Sequence, residues 1–351
     1  LYPQVNLNLA AIASEDGDLE EAFGYLEEIR SNDPWYVNAL LIKADLYQME
    51  GLTDVAREKL VEASQLSDDP IITFGMAEID FELGNFTQAI KEYASLDNRT
   101  IYEQTGISTY QRIGVSYASL GKFEAAIEFL QKAIELEYDE STVFELAVIL
   151  YDQEDYQKAN LYFKQLDTLS PDFEGYEYIY ALSLHADHQA EAALLMAQQG
   201  LNKNPFDSQL ALLASQVSYE LHNIEKAESY LLDAWDNADD LEEIALRLTN
   251  LYLEQERYED ILALEDQDWD NVLTRWNIAR SYQALEDIEK AQELYGELHR
   301  DLRDNPEFLE EYIYLLRECG ELERAKQEAQ HYLSLVPDDS AMQEFYDSLD
   351  Y

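Results

Sequence analysis

Carboxylates are the residues best supplied for chemistry here: 74 of the 351 residues are Asp or Glu, with adjacent pairs at Glu27/Glu28, Asp68/Asp69 and Asp239/Asp240. General acid–base catalysis would need two such groups held in one pocket with their pKa values pushed apart. Adjacent acids at helix ends are usually solvated caps, and at this abundance chance pairs are unavoidable. His185 and His188 are spaced as helix neighbours, but no nearby His or Cys completes a metal set, and Asp187 between them serves equally well as a local cap. Cys319 is the sole cysteine, which rules out an internal disulfide and a CxxC redox pair. The GxGxxG, phosphate-loop, HExxH and GxSxG phrases are missing, and so is a twelve-residue calcium loop with a terminal Glu. No catalytic, cofactor-binding or metal-ligating residue is therefore assigned, and the chain is not expected to be an enzyme.

The elements that carry these acids read as helices. Hydrophobic residues make up 47% of the chain, and only seven Pro and twelve Gly interrupt it, so Leu, Ala, Glu, Tyr and Gln at helical spacing set the pattern. The net charge of −51 repels nucleic acid and anionic membrane and favours encounter with a basic or amphipathic protein or peptide. The same charge also reads simply as a solvated surface. Between residues 133 and 246 the only basic residues are Lys158, Lys164, Lys203 and Lys226, which makes this the most negative stretch. No apolar run of membrane-spanning length and no signal-peptide pattern occurs, so no membrane insertion and a cytoplasmic location are expected.

One phrase recurs: a turn residue, then an aromatic or aliphatic residue two places on, then a small residue. It appears as GDLEEA, GNFTQA, GKFEAA, EDYQKA, HNIEKA and GELERA. Aligned on the last position, the anchors are Ala22, Ala56, Ala89, Ala126, Ala159, Ala193, Ala227, Ile261, Ala291 and Ala325, at intervals of 34, 33, 37, 33, 34, 34, 34, 30 and 34. Pro34, Pro171, Pro205 and Pro337 each follow an anchor by twelve residues and stop one helix before the next. A period of this length implies helix–turn–helix units, each covering the apolar face of its neighbour. The long interval before Ala126 predicts an extended connection near Asp97–Thr105. The short one before Ala291, with Glu265, Asp266, Asp268 and Asp270, predicts irregular packing over 260–275.

These residues resemble the tetratricopeptide-repeat (TPR) family. Tyr110, Ile113, Gly114 and Tyr117 follow the first half of its signature, and Ala126, Phe129 and Ala133 follow the second. In plan the chain is similar to the acidic multi-TPR proteins of low-GC Gram-positive bacteria. The resemblance implies an all-α solenoid of about ten repeats over 1–339, coiled as a right-handed superhelix, with a closing helix at 340–351. Leu1–Pro3 read as the tail of an earlier unit, so one or more upstream repeats are expected.

The resemblance also implies a scaffold or adaptor that takes a peptide or helical segment in a groove lined by the first helix of each repeat. A peptide-sensing regulator and a purely architectural solenoid are the alternatives. Carrying over the groove positions gives Phe74, Phe81, Phe144, Tyr151, Tyr178, Tyr219, Trp276, Arg280 and Tyr314 as candidates. Rigid aromatics there either cradle a ligand or pack against neighbouring first helices. Arg280, one turn after Trp276, is placed for a cation–π or a carboxylate contact. The family's carboxylate clamp is missing, because Asp45, Glu78, Val115, Val148, Leu182 and Gln216 stand where its cations would be. Acidic chaperone tails are thus not expected as ligands.

Overall fold

The computed structural model describes residues 2–238 and 240–349. Leu1, Asp239 and the last two residues of the expected closing segment lie outside the described residues. The chain divides into two compact units, Leu1–Ser183 and Leu184–Tyr351. The described residues are helical and contain no strand.

Unit 1 holds α1 (Pro3–Glu15), α2 (Leu19–Glu27), α3 (Tyr36–Met49), α4 (Thr53–Ser64), α5 (Pro70–Glu82), α6 (Phe86–Ala94), α7 (Asn98–Thr105), α8 (Thr109–Ser119), α9 (Phe123–Leu136), α10 (Glu140–Asp152) and α11 (Tyr156–Leu169). The division falls within α12 (Tyr176–Ala186). Unit 2 continues with α13 (Ala190–Lys203), α14 (Ser208–Glu220), α15 (Ile224–Trp235), α16 (Glu242–Glu254), α17 (Tyr258–Leu262), α18 (Val272–Ala284), α19 (Ile288–Leu302), α20 (Pro306–Glu318), α21 (Leu322–Leu335) and α22 (Ser340–Ser348). In each unit consecutive helices pair as antiparallel hairpins, and each second helix leans on the next first helix. That stacking is the solenoid the period predicted.

All ten anchor residues are fully buried, Ile261 included. A small side chain at the crossing lets two helix backbones approach, and larger neighbours fill the flanks. Gly114 shows how tight the approach is: a Cβ there would sit 2.7 Å from Leu130 Cγ and 3.2 Å from the Ala126 carbonyl oxygen.

Each hairpin turn has one solution. The residue five before the anchor adopts a left-handed backbone, as Gly17, Gly51, Gly84, Gly121 and Gly320 at φ between 71° and 80°, and as Glu154, His188, His222, Glu256 and Glu286 at φ between 55° and 64°. The next amide then bonds the carbonyl five residues back, for instance Asp18 to Ala13 and Asn223 to Ser218, both at 2.8 Å. This closure satisfies a carbonyl that the helix end leaves open. His188 is therefore a turn residue, not one face of a metal pair.

Two departures from the period have distinct structures. The longer connection expected before α8 takes the form of the eight-residue α7, which lies beside α5 and α8 while α6 packs directly on α8. The short interval leaves α17 with five residues, followed by a turn-rich segment as expected. That segment is anchored by Trp269, which is buried, donates to the Leu264 carbonyl at 2.8 Å and meets Trp235 edge-on. At the C-terminal end, α22 seats Met342 and Phe345 against Leu309, Ile313, Ala329 and Tyr332. Among the described residues, no helix is long and apolar enough to cross a membrane, and no group of three or more His, Cys, Asp or Glu is placed to hold a metal.

Left-handed strain of about 1–2 kcal/mol falls on a residue with a Cβ, and glycine there costs about 0.5–1 kcal/mol through extra unfolded-state freedom. His222→Gly should therefore raise the urea unfolding midpoint, by up to about 1 kcal/mol in stability. His222→Ala keeps the Cβ and should not. A lower midpoint for the glycine variant would contradict this account of the turn.

Candidate functional site

The first helix of each repeat presents one stripe toward the corresponding stripe of the next, about one period away in sequence. Bonds therefore run between first helices at a spacing of 34 or 35. Gln48 Nε2 donates to Glu82 at 3.1 Å, Gln111 Nε2 to Glu145 at 3.1 Å, and Arg112 to both Glu78 oxygens at 2.9 and 3.1 Å. In unit 2, His185 meets Glu220 at 2.7 Å, the Tyr219 hydroxyl reaches Glu254 at 2.7 Å, and Arg247 donates to the Leu212 carbonyl at 3.0 Å.

The aromatic candidates fall into three environments. Phe74 and Trp276 are buried, at 7% and 4% exposure, so their rings are packing surface. Phe81, Phe144, Tyr151, Tyr178 and Tyr314 are half-buried. Phe81 lies under the Arg112 guanidinium at 4.9 Å, Phe144 sits between Phe163 and Phe173, and Tyr151 rests on Tyr156. Tyr314 is met edge-on by Phe345 of α22 at 5.2 Å. Tyr219 is the exposed one, at 41%.

Trp276 and Arg280 make both contacts open to them. The guanidinium stacks 3.8 Å over the indole, and Arg280 also bonds Glu311 at 2.7 Å and Glu307 at 2.7 Å. Glu311 is a hub: it accepts from Trp276 Nε1 at 2.8 Å and from the Tyr295 hydroxyl at 2.7 Å as well. Burial and the Glu311 carboxylate together push the Tyr295 hydroxyl far above the ordinary tyrosine range.

Along α14, α16, α18 and α20 this stripe is open. A cleft of about 350 Å3 is lined by Ser215, Gln216, Tyr219, Leu231, Arg247, Asn250, Leu251 and Glu254. A second, of about 450 Å3, runs on from Leu253 and Glu254 to Arg280, Gln283 and Glu311. Glu254 belongs to both. Four of the lining residues, Arg247, Asn250, Glu254 and Glu311, were not singled out from sequence. They lie within one helical turn of carried-over positions on the same face, so widening each stripe by three or four residues would have found them. Asn250 is held in place by Asn277, whose amide donates to its oxygen at 2.7 Å.

Removing Glu311 strands three donors at once. Glu311→Ala should cost about 1.5–3 kcal/mol, since hydrogen bonds to a charged partner are worth that much. The check is the unfolding midpoint together with Trp276 fluorescence, which should shift as the indole loses its acceptor. Acidity acts in two directions. Burial pushes the Asp45, Glu92 and Glu145 carboxyls up, so the folded state binds protons more tightly than the unfolded state and stability rises as pH falls toward their folded values. Glu228, bonded by Arg257, and Glu62, bonded by Tyr36, are held down; their contribution is present above the unfolded carboxylate range and is lost as pH falls through the folded values. The thermal midpoint should thus be higher near about pH 5.5 than near about pH 7.5, and should drop below about pH 4.

Comparison with known proteins bears on the same stretches. Residues 48–101 match the YpiA-like tetratricopeptide repeats, residues 273–339 the YpiA-like C-terminal tetratricopeptide repeats, and residues 107–137 the general tetratricopeptide repeat. The TPR repeat-containing protein YpiA of Bacillus subtilis is 28% identical over 309 residues, which span 86% of this chain and 72% of YpiA. Among solved structures, a tetratricopeptide repeat protein from Parabacteroides merdae aligns with a TM-score of 0.46 and 16% identity, over 72% of this chain and 98% of its own. YrrB, described as a TPR protein with an unusual peptide-binding site, aligns at 0.44 with 17% identity, over 56% of this chain and 97% of its own. With the buried anchors in phase and the repeat models matching stretches of both units, the chain is built of tetratricopeptide repeats, the fold of a protein-interaction module.

Proposed function

We propose that this chain is a scaffold or adaptor acting in the cytoplasm, and that it holds a peptide or helical segment of a partner protein along the first-helix face of unit 2. The observation that carries this reading is the pair of clefts that share Glu254. Tyr219 offers a rigid ring at low entropy cost, and Gln216, Asn250 and Gln283 offer amides to a ligand backbone. Glu220 and Glu254 border the same face, and the chain as a whole carries −51, so a basic or amphipathic segment suits it best.

An acidic chaperone tail suits it poorly. Asp45, Glu78, Val115, Val148, Leu182 and Gln216 bring no cation to the clamp positions, and Arg112, nearby, is already bonded to Glu78. In unit 1 the half-buried Phe144, Tyr151 and Tyr178 are the corresponding candidates for ligand contact.

Affinity capture at moderate salt tests the reading, with wild type run beside Tyr219→Ala/Asn250→Ala and beside Phe144→Ala/Tyr151→Ala/Tyr178→Ala. A partner recovered by wild type should fall at least about tenfold with the first variant while helicity is unchanged. Equal recovery by all three would move the interface off the first-helix faces and sink the proposal.

A further inference from the structure

Unit 1 is hollow where the period is stretched. The residues added before Ala126 fold as α7, and α7, the start of α8 and the end of α9 enclose an open cavity of about 660 Å3. That is the size of a small-ligand site, in a fold whose hairpins are otherwise closely packed. Its frame is built. Asn98 Oδ1 accepts from Ser108 Oγ at 3.0 Å, from the Thr109 amide at 2.8 Å and from Thr109 Oγ1 at 3.1 Å, tying α7 to the start of α8.

One wall is apolar: Leu136, 65% exposed, with Ile107, Tyr102 and Tyr138 beside it. The polar side is anionic. Both guanidiniums that line the cavity are engaged, Arg112 by Glu78 at 2.9 Å and Arg99 by Glu103 at 2.9 Å. Glu137 and Asp139 line it too; Asp139 Oδ2 caps α10 by accepting from the Thr142 amide and hydroxyl at 2.8 and 2.6 Å, and neither carboxylate makes an ion pair among the described residues. Glu145 sits behind Gln111, whose amide donates to it at 3.1 Å.

We propose that this cavity is a second binding site, one that takes an arginine or lysine side chain from a basic segment of a partner protein. The aliphatic stem would lie along Leu136 and the tyrosine rings, with the cationic head toward Glu137 and Asp139. The site does not depend on the clefts of unit 2, because all of its residues belong to unit 1.

The test uses the full chain and a fluorescein-labelled pentapeptide with two arginines flanking a leucine, followed by fluorescence anisotropy. The same peptide with citrulline for arginine removes the charge and keeps the shape. Wild type should bind the arginine peptide and not the citrulline one. Glu103→Lys/Glu137→Lys, both at exposed positions, should weaken binding at least about tenfold, and Glu137→Gln alone about threefold. Glu27→Lys/Glu28→Lys changes the net charge equally at a distant exposed site and should leave binding nearly unchanged, as should Tyr219→Ala/Asn250→Ala. Equal weakening by the distant pair would show that only the overall field attracts the peptide, and would overturn the site. Loss with the Tyr219 variant would place the peptide in unit 2 and overturn it as well, and so would an absence of wild-type binding at about 1 mM peptide.

Discussion

Everything in this molecule depends on ten places where two helices cross, nine of them close enough to exclude all but a small side chain. Nine alanines and one isoleucine occupy them, each without measurable exposure. Five residues earlier the chain always takes a left-handed turn, because a short antiparallel connection has to reverse the backbone within one residue. These two requirements fix the phase of each repeat. Once the phase is set, every other position is assigned to the hairpin core, to the stripe facing the next repeat, or to solvent, and the contact surfaces follow from that assignment.

The phase explains how so acidic a chain stays folded. With 74 acids and only 23 Lys and Arg, most carboxylates cannot find a cation. Tyrosine fills part of that gap. The Tyr36, Tyr93, Tyr219, Tyr252, Tyr295 and Tyr332 hydroxyls each donate to an Asp or Glu on another turn, helix or repeat. A phenol is a strong neutral donor with an apolar body, so it satisfies a carboxylate without the desolvation cost of burying a second charge. The price falls on the phenol's own ionisation: burial, then the bonded carboxylate, raises Tyr252 and Tyr332 to about 12. The few arginines are concentrated where two carboxylates converge, as Arg57 does on Asp80 and Glu92 and Arg280 on Glu307 and Glu311.

Two settings among the described residues hold open volume. In unit 2 the regular first-helix stripe is left uncovered by its own side chains between α14 and α20. In unit 1 the irregular α7 lies beside hairpins that still pack on one another and leaves a cavity at the edge. In the other irregularity, after α17, Trp269 is buried and Glu242 accepts the Asp270 and Asn271 amides at 2.9 and 3.0 Å.

The sequence by itself determined the repeat, its phase, its hairpin turns and its two irregular stretches, because anchor, turn residue and helix stop are local requirements that recur every 34 residues. Even non-glycine turns were visible, since Glu154 and His222 open the same phrase that glycine opens elsewhere. The tertiary structure alone decided which groove residues are surface. Phe74, Phe144 and Trp276 stand at the same offset from their anchors, yet the first and last are buried by neighbouring helices and Arg280 covers Trp276, while Phe144 stays half-buried. Offset from an anchor gives the direction a side chain leaves its helix. How far the next helix stands from it depends on side chains about 34 residues away, and on whether an insertion such as α7 folds back or extends.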